Sequence, residues 1–295
     1  MKASIRLGVA LAAGLLFAAA GTVSTASAAQ LRQVTERTFA FQPGGELHIN
    51  SQNGRIVVEA WDRPEARIQI TREVRASDDQ HAAELMKELS ADVSISKTGI
   101  TIDSKYPKRV ESVGIWDVLG QKVTSLNIHY YVQVPAKTSV VLVTSNGEIR
   151  VRGIAGHVVG ETMNGDVDVS SASGHVEVST TNGDIRLAGI VGSARAGTTN
   201  GGISVEIRKL TAGDDVNLQT TNGNVSAALP VDLKATIEAA TTNGAVTIGY
   251  TMERASGSSS RAVVGTIGGG DGSAVRLRTT NGNVTVKKVG ESASG

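Results

Sequence analysis

Three aspartates stand at related places in a repeated part of the sequence. Asp166 and Asp184 each follow an Asn-Gly pair and lie 18 residues apart, and Asp168 follows two residues after Asp166. Carboxylates are preferred ligands of Ca²⁺, and two carboxyl groups about 5–9.5 Å apart can hydrolyse a glycosidic bond. However, the Gly-Gly-x-Gly-x-Asp signature of calcium-binding β-rolls is absent, and residues 137–249 contain no aromatic side chain on which a sugar could stack. We therefore expect a solvated, charged face without catalytic residues, cofactor or metal.

Two histidines, His157 and His175, share the same spacing of 18 residues. On adjacent turns of a repeat, two imidazoles could bind a transition metal or respond to pH. The next residue in their series is Ser193, which is not a strong third ligand. We expect both histidines to be exposed polar positions.

A recurring corner, Thr-Thr-Asn-Gly or a close variant, organises the elements that carry these residues. Asn-Gly occurs eight times, first as Asn53–Gly54. The later pairs are Asn146, Gly147; Asn164, Gly165; Asn182, Gly183; Asn200, Gly201; Asn222, Gly223; Asn243, Gly244; and Asn281, Gly282. Glycine allows positive φ at low cost, and Asn can bond locally or to the Asn of neighbouring repeats. We interpret these residues as a structural turn ladder and not as a repeated binding site.

The spacing of the corners predicts the fold. Glycines recur every nine residues from Gly147 to Gly201, and Asn precedes every second one, so the full period is 18. Apolar residues fall two and four places after these glycines, which is the alternation of a strand with one buried face. An antiparallel β-meander fits this pattern, because Asn-Gly is a strong hairpin signal. A parallel β-solenoid with two strands per coil also fits, and it buries both rows of apolar residues.

We favour the solenoid, because a meander would leave its apolar face uncovered. The predicted fold is all-β: a parallel, single-stranded β-helix-like solenoid of 18-residue coils over residues 136–290, with the antiparallel β-meander as the alternative. An irregular β region at 29–135 precedes it and contains one helix, predicted at 77–91. Residues 255–272 predict an extruded loop with one irregular rung, and residues 291–295 a disordered tail.

The first 28 residues have the order of a secretory signal peptide. Lys2 and Arg6 precede an apolar run that ends in the small residues Ala26-Ser27-Ala28. No later apolar run approaches the roughly 20 residues of a membrane span, so we expect no transmembrane segment after cleavage. The sequence therefore predicts an exported protein, either periplasmic or extracellular.

Composition narrows the classes of partner. The chain has 29 basic and 28 acidic residues and no basic stripe, which argues against nucleic acid as a partner. It has no cysteine, so neither disulfides nor thiolate metal sites contribute. An envelope protein, a glycan or a lipid surface remains a possible partner, and the oligomeric state is not predicted.

Several stretches resemble the bacterial putative-adhesin family of exported β-strand-repeat proteins, a domain of unknown function. They are "GELHINSQNGRIVVEAWD", "HYYVQVPAKTSVVLVTSNGEIRVRGI", the TTNG corners and "GTIGGGDGSAVRLRTTNGNVTVKK", and the likeness covers residues 38–289. The resemblance implies an exported envelope protein, often linked to envelope-stress systems, and it supplies no catalytic residues.

The sequence favours a non-enzymatic function. The first hypothesis is an adhesin-like binding or scaffold module of the cell envelope. The alternative is an accessory component of an envelope-stress response that binds a protein or lipid ligand through the N-terminal region. A β-helix polysaccharide hydrolase or lyase is the most distant hypothesis.

Overall fold

The protein is built from two long β-sheets that face each other across one hydrophobic core. The computed structural model describes residues 3–5, 29–96, 98–107, 125–270 and 272–290. In the described residues the first sheet has 13 strands and the second has 11. The order in the first sheet runs through every corner that carries Asn-Gly, so the corners stack along one edge of the molecule.

The elements fall into three groups along the chain. The first group is β1 (Ala3–Ile5), β2 (Ala29–Ala40), β3 (Glu46–Asn50), β4 (Ile56–Trp61), β5 (Glu65–Ala76), α1 (Asp79–Glu88), β6 (Ser90–Ile95), β7 (Gly99–Lys105) and β8 (Ser125–Pro135). The repeats are β9 (Ser139–Asn146), β10 (Ile149–Arg152), β11 (Val158–Asn164), β12 (Val167–Ser170), β13 (Val176–Asn182), β14 (Ile185–Val191), β15 (Ala194–Asn200), β16 (Ile203–Lys209), β17 (Asp215–Asn222) and β18 (Val225–Leu229). The last group is β19 (Ala235–Asn243), β20 (Val246–Ile248), β21 (Glu253–Arg254), β22 (Ala262–Ile267), β23 (Ala274–Asn281) and β24 (Val284–Lys288).

The repeats form a parallel β-solenoid, as the period of 18 predicts. β11 pairs in parallel with β13, with Asn164 opposite Asn182, and β12 pairs in parallel with β14. Each coil therefore gives one strand to each sheet. The antiparallel meander is wrong for the repeats, because it would place neighbouring strands across the Asn182–Gly183 turn instead of 18 residues apart.

The core consists of the alternating apolar residues of both sheets. Two and four places after Gly183, Ile185 and Leu187 are each 1% exposed, and the equivalent residues of the preceding coil, Val167 and Val169, are also buried. Removal of such side chains from water is the main driving force for stacking one coil on the next. The predicted inward columns are thus the columns that the structure buries.

The solenoid extends past the boundary predicted at residues 135/136. β3 pairs in parallel with β9, and β4 pairs in parallel with both β8 and β10. The Asn53 corner lies directly beside the Asn146 corner, although 93 residues separate them. The two predicted regions therefore share both sheets and one core, and the division of the chain at residues 135/136 stays a prediction.

The order of coils at the C-terminal end differs from the order in the sequence. β23 lies between β17 and β19, and β24 lies between β18 and β20. The last coil of the chain is therefore inserted into the stack, and the coil that contains Asn243 stands at its end. Beyond it, β22 pairs antiparallel with β19 and β21 pairs antiparallel with β22. The segment predicted as an extruded loop at 255–272 thus contributes one strand, β22, to the first sheet, and β21 directly precedes that segment.

The helix is shorter than predicted. It spans Asp79–Glu88 instead of 77–91, because the Asp78 carboxylate caps its start by accepting a hydrogen bond from His81 N at 2.8 Å, and because β6 begins at Ser90. This bond to the His81 N–H also lowers the pKa of Asp78. The Arg72 guanidinium donates to Leu89 O at 2.6 Å and so holds the end of the helix. Ala82, Leu85 and Met86 are buried, so α1 belongs to the core.

Two predictions concern the chain ends. Within the predicted signal peptide, β1 pairs antiparallel with β6; the rest of that segment and the predicted tail at 291–295 lie outside the described residues. The signal peptide therefore stays a prediction. In the part of the chain that the structure describes, no helix is long and apolar enough to span a membrane.

Candidate functional site

The corners require glycine because of a close approach between coils. A Cβ atom on Gly183 would lie 2.1 Å from Gly165 O, and one on Gly165 would lie 2.2 Å from Gly147 O. Six of the eight corner glycines also have positive φ, among them Gly183 at +158°, whereas Gly147 and Gly165 do not. The expected positive φ is therefore present at most corners, and close contact with a carbonyl oxygen is a second reason for glycine that holds at every corner of the stack.

Asparagine side chains link the corners in one continuous ladder. The Asn182 amide donates to Asn164 Oδ1 at 2.9 Å and accepts from the Asn200 amide at 2.8 Å. Equivalent bonds at 2.8–2.9 Å join all eight Asn-Gly corners, in the spatial order Asn53, Asn146, Asn164, Asn182, Asn200, Asn222, Asn281, Asn243. The predicted stacking of Asn on Asn is thus present in the structure.

The first threonine of each TTNG completes the corner from inside. Thr180 is 6% exposed, and its hydroxyl donates to Gly165 O, the same carbonyl that excludes a side chain from Gly183. The Gly183 N–H in turn donates to Asn200 O at 3.0 Å. Each inner corner therefore satisfies these backbone polar groups through its two neighbours. The second threonine, Thr181, is exposed.

Tyr106 closes the ladder at its N-terminal end. Its hydroxyl donates to Asn53 O at 2.7 Å and accepts from Asn53 N at 2.9 Å, so it takes the place of a further coil. Nearby, Ser104 bonds the Tyr130 hydroxyl, and Tyr130 is 1% exposed. Burial raises the pKa of both tyrosines.

Two of the candidate aspartates accept hydrogen bonds from backbone N–H groups at the corners. Asp166 Oδ1 accepts from Asp184 N at 2.8 Å, and Asp184 Oδ1 accepts from Gly202 N at 2.7 Å. Asn224 and Asn283 accept the equivalent N–H groups at later corners. Two of the three carboxylates are thus committed to backbone N–H groups, which accounts for acidic residues directly after Asn-Gly.

Asp168 lies in a column of charged residues on neighbouring coils, but the ion pairs near it are formed within single coils or between other residues. Asp168 lies opposite Arg150 on one side and Arg186 on the other. Arg150 instead bonds Glu148, whose second oxygen is 2.8 Å from Arg55 Nε. No ion pair of the described residues includes Asp168.

The two histidines lie side by side, as their spacing predicts. The imidazole centroids of His157 and His175 are 5.3 Å apart with planes tilted by 49°, and His175 Nε2 is 3.7 Å from a carboxylate oxygen of Glu177. The described residues contain no group of three or more His, Asp or Glu side chains arranged to hold a metal ion. The calcium site at Asp166, Asp168 and Asp184 therefore has no supporting geometry.

A different group of side chains forms the candidate site, on the outward face of the second sheet. We call it the Tyr131 patch: Glu59 and Trp61 on β4, Tyr131 on β8 and Arg152 on β10. The Tyr131 hydroxyl donates to Glu59 Oε2 at 2.7 Å, and Arg152 Nη1 lies 3.8 Å from Glu59 Oε1. The hydrogen bond to Glu59 raises the pKa of Tyr131.

Trp61 borders the patch and is held in a fixed orientation. Its indole N–H donates to Glu65 O at 2.7 Å, and the Arg63 guanidinium carbon lies 5.3 Å from its ring centroid. The Tyr131 patch was not predicted from the sequence, in which the regularly spaced aspartates and histidines of the repeats were the candidate residues. A signal was available: in "SLNIHYYVQVP" the buried Ile128, Tyr130 and Val132 alternate with Tyr131, which must therefore face outward.

The chain was compared with known proteins. The Toastrack DUF4097 family model matches residues 45–287. Among solved structures, a putative cell adhesion protein from Clostridium sporogenes is 13% identical over 87% of this chain and 100% of that chain, with a TM-score of 0.35. A putative adhesin from Bacteroides fragilis is 13% identical over 87% of this chain and 97% of that one, with a TM-score of 0.32.

A putative lipid binding protein from Parabacteroides distasonis is 10% identical over 87% of this chain and 96% of that one, with a TM-score of 0.25. At these scores, the likenesses carry no functional argument. No curated protein matches the chain. The family model covers the Asn53 coil, the repeats and the inserted last coil alike. On this match, the chain belongs to the Toastrack DUF4097 family.

Proposed function

We propose that the protein is an exported, non-enzymatic binding module of the cell envelope, and that it binds a glycan through the Tyr131 patch. The observation that carries the proposal is the outward-facing line from Tyr131 through Glu59 to Arg152 on a regular sheet, in which Tyr131 and Glu59 are half-buried and Arg152 is exposed. An aromatic ring offers an apolar surface to the C–H face of a sugar ring. A carboxylate and a guanidinium beside it can bond the sugar hydroxyls, and charged groups make the stronger hydrogen bonds.

The rest of the molecule supports a scaffold role. The corner asparagines and two of the candidate aspartates form hydrogen bonds between coils, so their role is structural. A solenoid held in this way keeps its outward side chains in fixed positions. Rigid presentation lowers the entropy cost of binding.

The test uses purified peptidoglycan sacculi and a panel of soluble bacterial polysaccharides as probes. We expect the wild-type protein to bind at least one of them, and Tyr131→Ala to weaken that binding by about tenfold or more, since an aromatic anchor at the centre of a site contributes about 2 kcal/mol. Tyr131→Phe keeps the ring and should retain most of the affinity. Arg186→Ala, on the same face but two strands beyond Arg152, is the matched control.

Three results would count against this proposal. Equal binding by wild type and Tyr131→Ala would remove the patch from the site, and a lack of binding to every probe, with binding to lipid vesicles instead, would favour the lipid hypothesis. Release of reducing sugar from a bound polysaccharide would contradict the non-enzymatic function.

A further inference from the structure

The last corner of the stack, Asn243–Gly244, is bonded differently from the corners inside it. At the inner corners, the glycine N–H donates to the Asn carbonyl of the next coil, as Gly183 N does to Asn200 O at 3.0 Å. At Gly244 the N–H has no acceptor among the described residues, because no further parallel coil follows β19. Gly244 is exposed, whereas Gly183 is half-buried.

The Asn side chain at this corner is also held less firmly. Asn182 is bonded on both sides within the ladder, through its Nδ2 and its Oδ1. Asn243 is bonded on one side, where its Nδ2 donates to Asn281 Oδ1 at 2.8 Å, and no ladder amide donates to its Oδ1. Both reacting groups of the Asn243–Gly244 pair are therefore less restrained than those of the inner corners.

We propose that Asn243 is a site of spontaneous deamidation in the folded protein. The Gly244 nitrogen loses its proton to water or hydroxide and attacks Asn243 Cγ, forming a five-membered succinimide. The Cγ–Nδ2 bond breaks and ammonia leaves with the proton. Water then opens either carbonyl of the ring, giving aspartate or isoaspartate, so the net change is addition of water and loss of ammonia. Asparagine is among the thermolabile residues for this reason.

The other end of the ladder is protected. The Gly54 N–H donates to Asn146 O at 2.8 Å and Gly54 is buried, while Tyr106 holds both backbone polar groups of Asn53. The two ends of the stack thus differ, and the C-terminal end is the reactive one.

Deamidation would change the end of the solenoid. The product lacks the amide that donates to Asn281 Oδ1 and places a carboxylate beside that acceptor oxygen. Isoaspartate also lengthens the backbone by one carbon at a corner where coils approach closely. Both products weaken the attachment of the β19–β20 coil to the coil of β23 and β24.

The experiment follows deamidation at every Asn-Gly pair of the full chain. The protein is incubated at mildly alkaline pH with and without denaturing urea, and sampled peptides are analysed by mass spectrometry for a gain of about 1 Da. In the folded protein we expect Asn243 to convert about tenfold faster than any other Asn-Gly, since attack elsewhere must first open the hydrogen bonds of the corner. In urea, the difference should disappear. Asn243→Gln, which forms the cyclic imide much less readily, should abolish the fast conversion.

Three results would overturn the proposal. One is equal conversion at all corners of the folded protein. Another is fastest conversion at Asn281, which is the last corner in sequence but an inner corner in space. The third is no conversion at Asn243 over a period in which the urea-denatured chain converts fully.

Discussion

The stack of Asn-Gly corners and the N-terminal strands β2, β5 and β8 belong to the same pair of sheets but are held together by different contacts. In the stack, parallel coils are joined by backbone and amide hydrogen bonds that repeat at each corner, and a carbonyl leaves no room for a side chain. At the N-terminal end, antiparallel strands pack large side chains such as Tyr130, and Arg72 holds α1 by its last carbonyls. The stability of the stack should therefore depend on backbone geometry at the corners, and the stability of the N-terminal end on its buried side chains.

The largest effect is expected from Gly183→Ala. The new Cβ would lie 2.1 Å from Gly165 O, and neither backbone can move without breaking the ladder on both sides. We expect a loss of about 3 kcal/mol or more in the free energy of unfolding, measured by urea denaturation.

Gly197→Ala is the matched control in the neighbouring strand. A Cβ at Gly197 would lie 4.0 Å from the nearest atom, Gln219 O, so the substitution should change stability by less than about 0.5 kcal/mol. Equal effects of the two substitutions would show that the corner is not sterically special.

Alkaline pH should affect the N-terminal end. Burial raises the pKa of Tyr106 and Tyr130 from the ordinary value of 10.0. Below pH 10 both tyrosines are protonated in the folded and the unfolded chain, so they confer no pH dependence. Above it the unfolded chain ionises first, and stability should fall by up to about 1.4 kcal/mol per pH unit for each tyrosine.

Urea denaturation between pH 8 and 11 measures this dependence. In a chain with Tyr106→Phe and Tyr130→Phe, the fall above pH 10 should be much shallower than in the wild type. An unchanged slope would mean that these tyrosines are not protected from ionisation in the folded protein.

A smaller effect is expected from Asn182→Ala. The substitution removes two exposed amide bonds, to Asn164 and from Asn200, and should lower the free energy of unfolding by about 1 kcal/mol. Binding through the Tyr131 patch should be unchanged. Thr181→Ala, at the adjacent exposed position, is the control and should have almost no effect on stability. If Asn182→Ala abolished ligand binding at unchanged stability, the corner would be a binding site.

The sequence predicted the repeating part of the molecule well. A period of 18 with strict alternation indicated parallel coils, the inward residues and the Asn ladder, because each coil repeats the same local chemistry. The reason for glycine was predictable only in part: positive φ is a property of one residue and is present at most corners, whereas the contact between Gly183 and Gly165 O exists only between stacked coils.

The parts that escaped prediction depend on contacts between distant segments. The TTNG corners at Asn222, Asn243 and Asn281 are alike, so nothing local shows that the third lies between the other two. Tyr106 closes the ladder over Asn53 from the residue directly after β7, which is not followed by a TTNG corner. The Tyr131 patch draws on β4, β8 and β10, which only the fold brings together.

Amide hydrogen exchange of the corner glycines tests the central claim most directly, namely that the Asn-Gly corners are a bonded stack with Asn243 at its end. The N–H groups of Gly147, Gly165, Gly183, Gly201, Gly223 and Gly282 each donate to a neighbouring coil and should exchange slowly, whereas Gly244 should exchange rapidly. Slow exchange at Gly244 together with rapid exchange at Gly282 would contradict the coil order, and rapid exchange at all seven would contradict the stack.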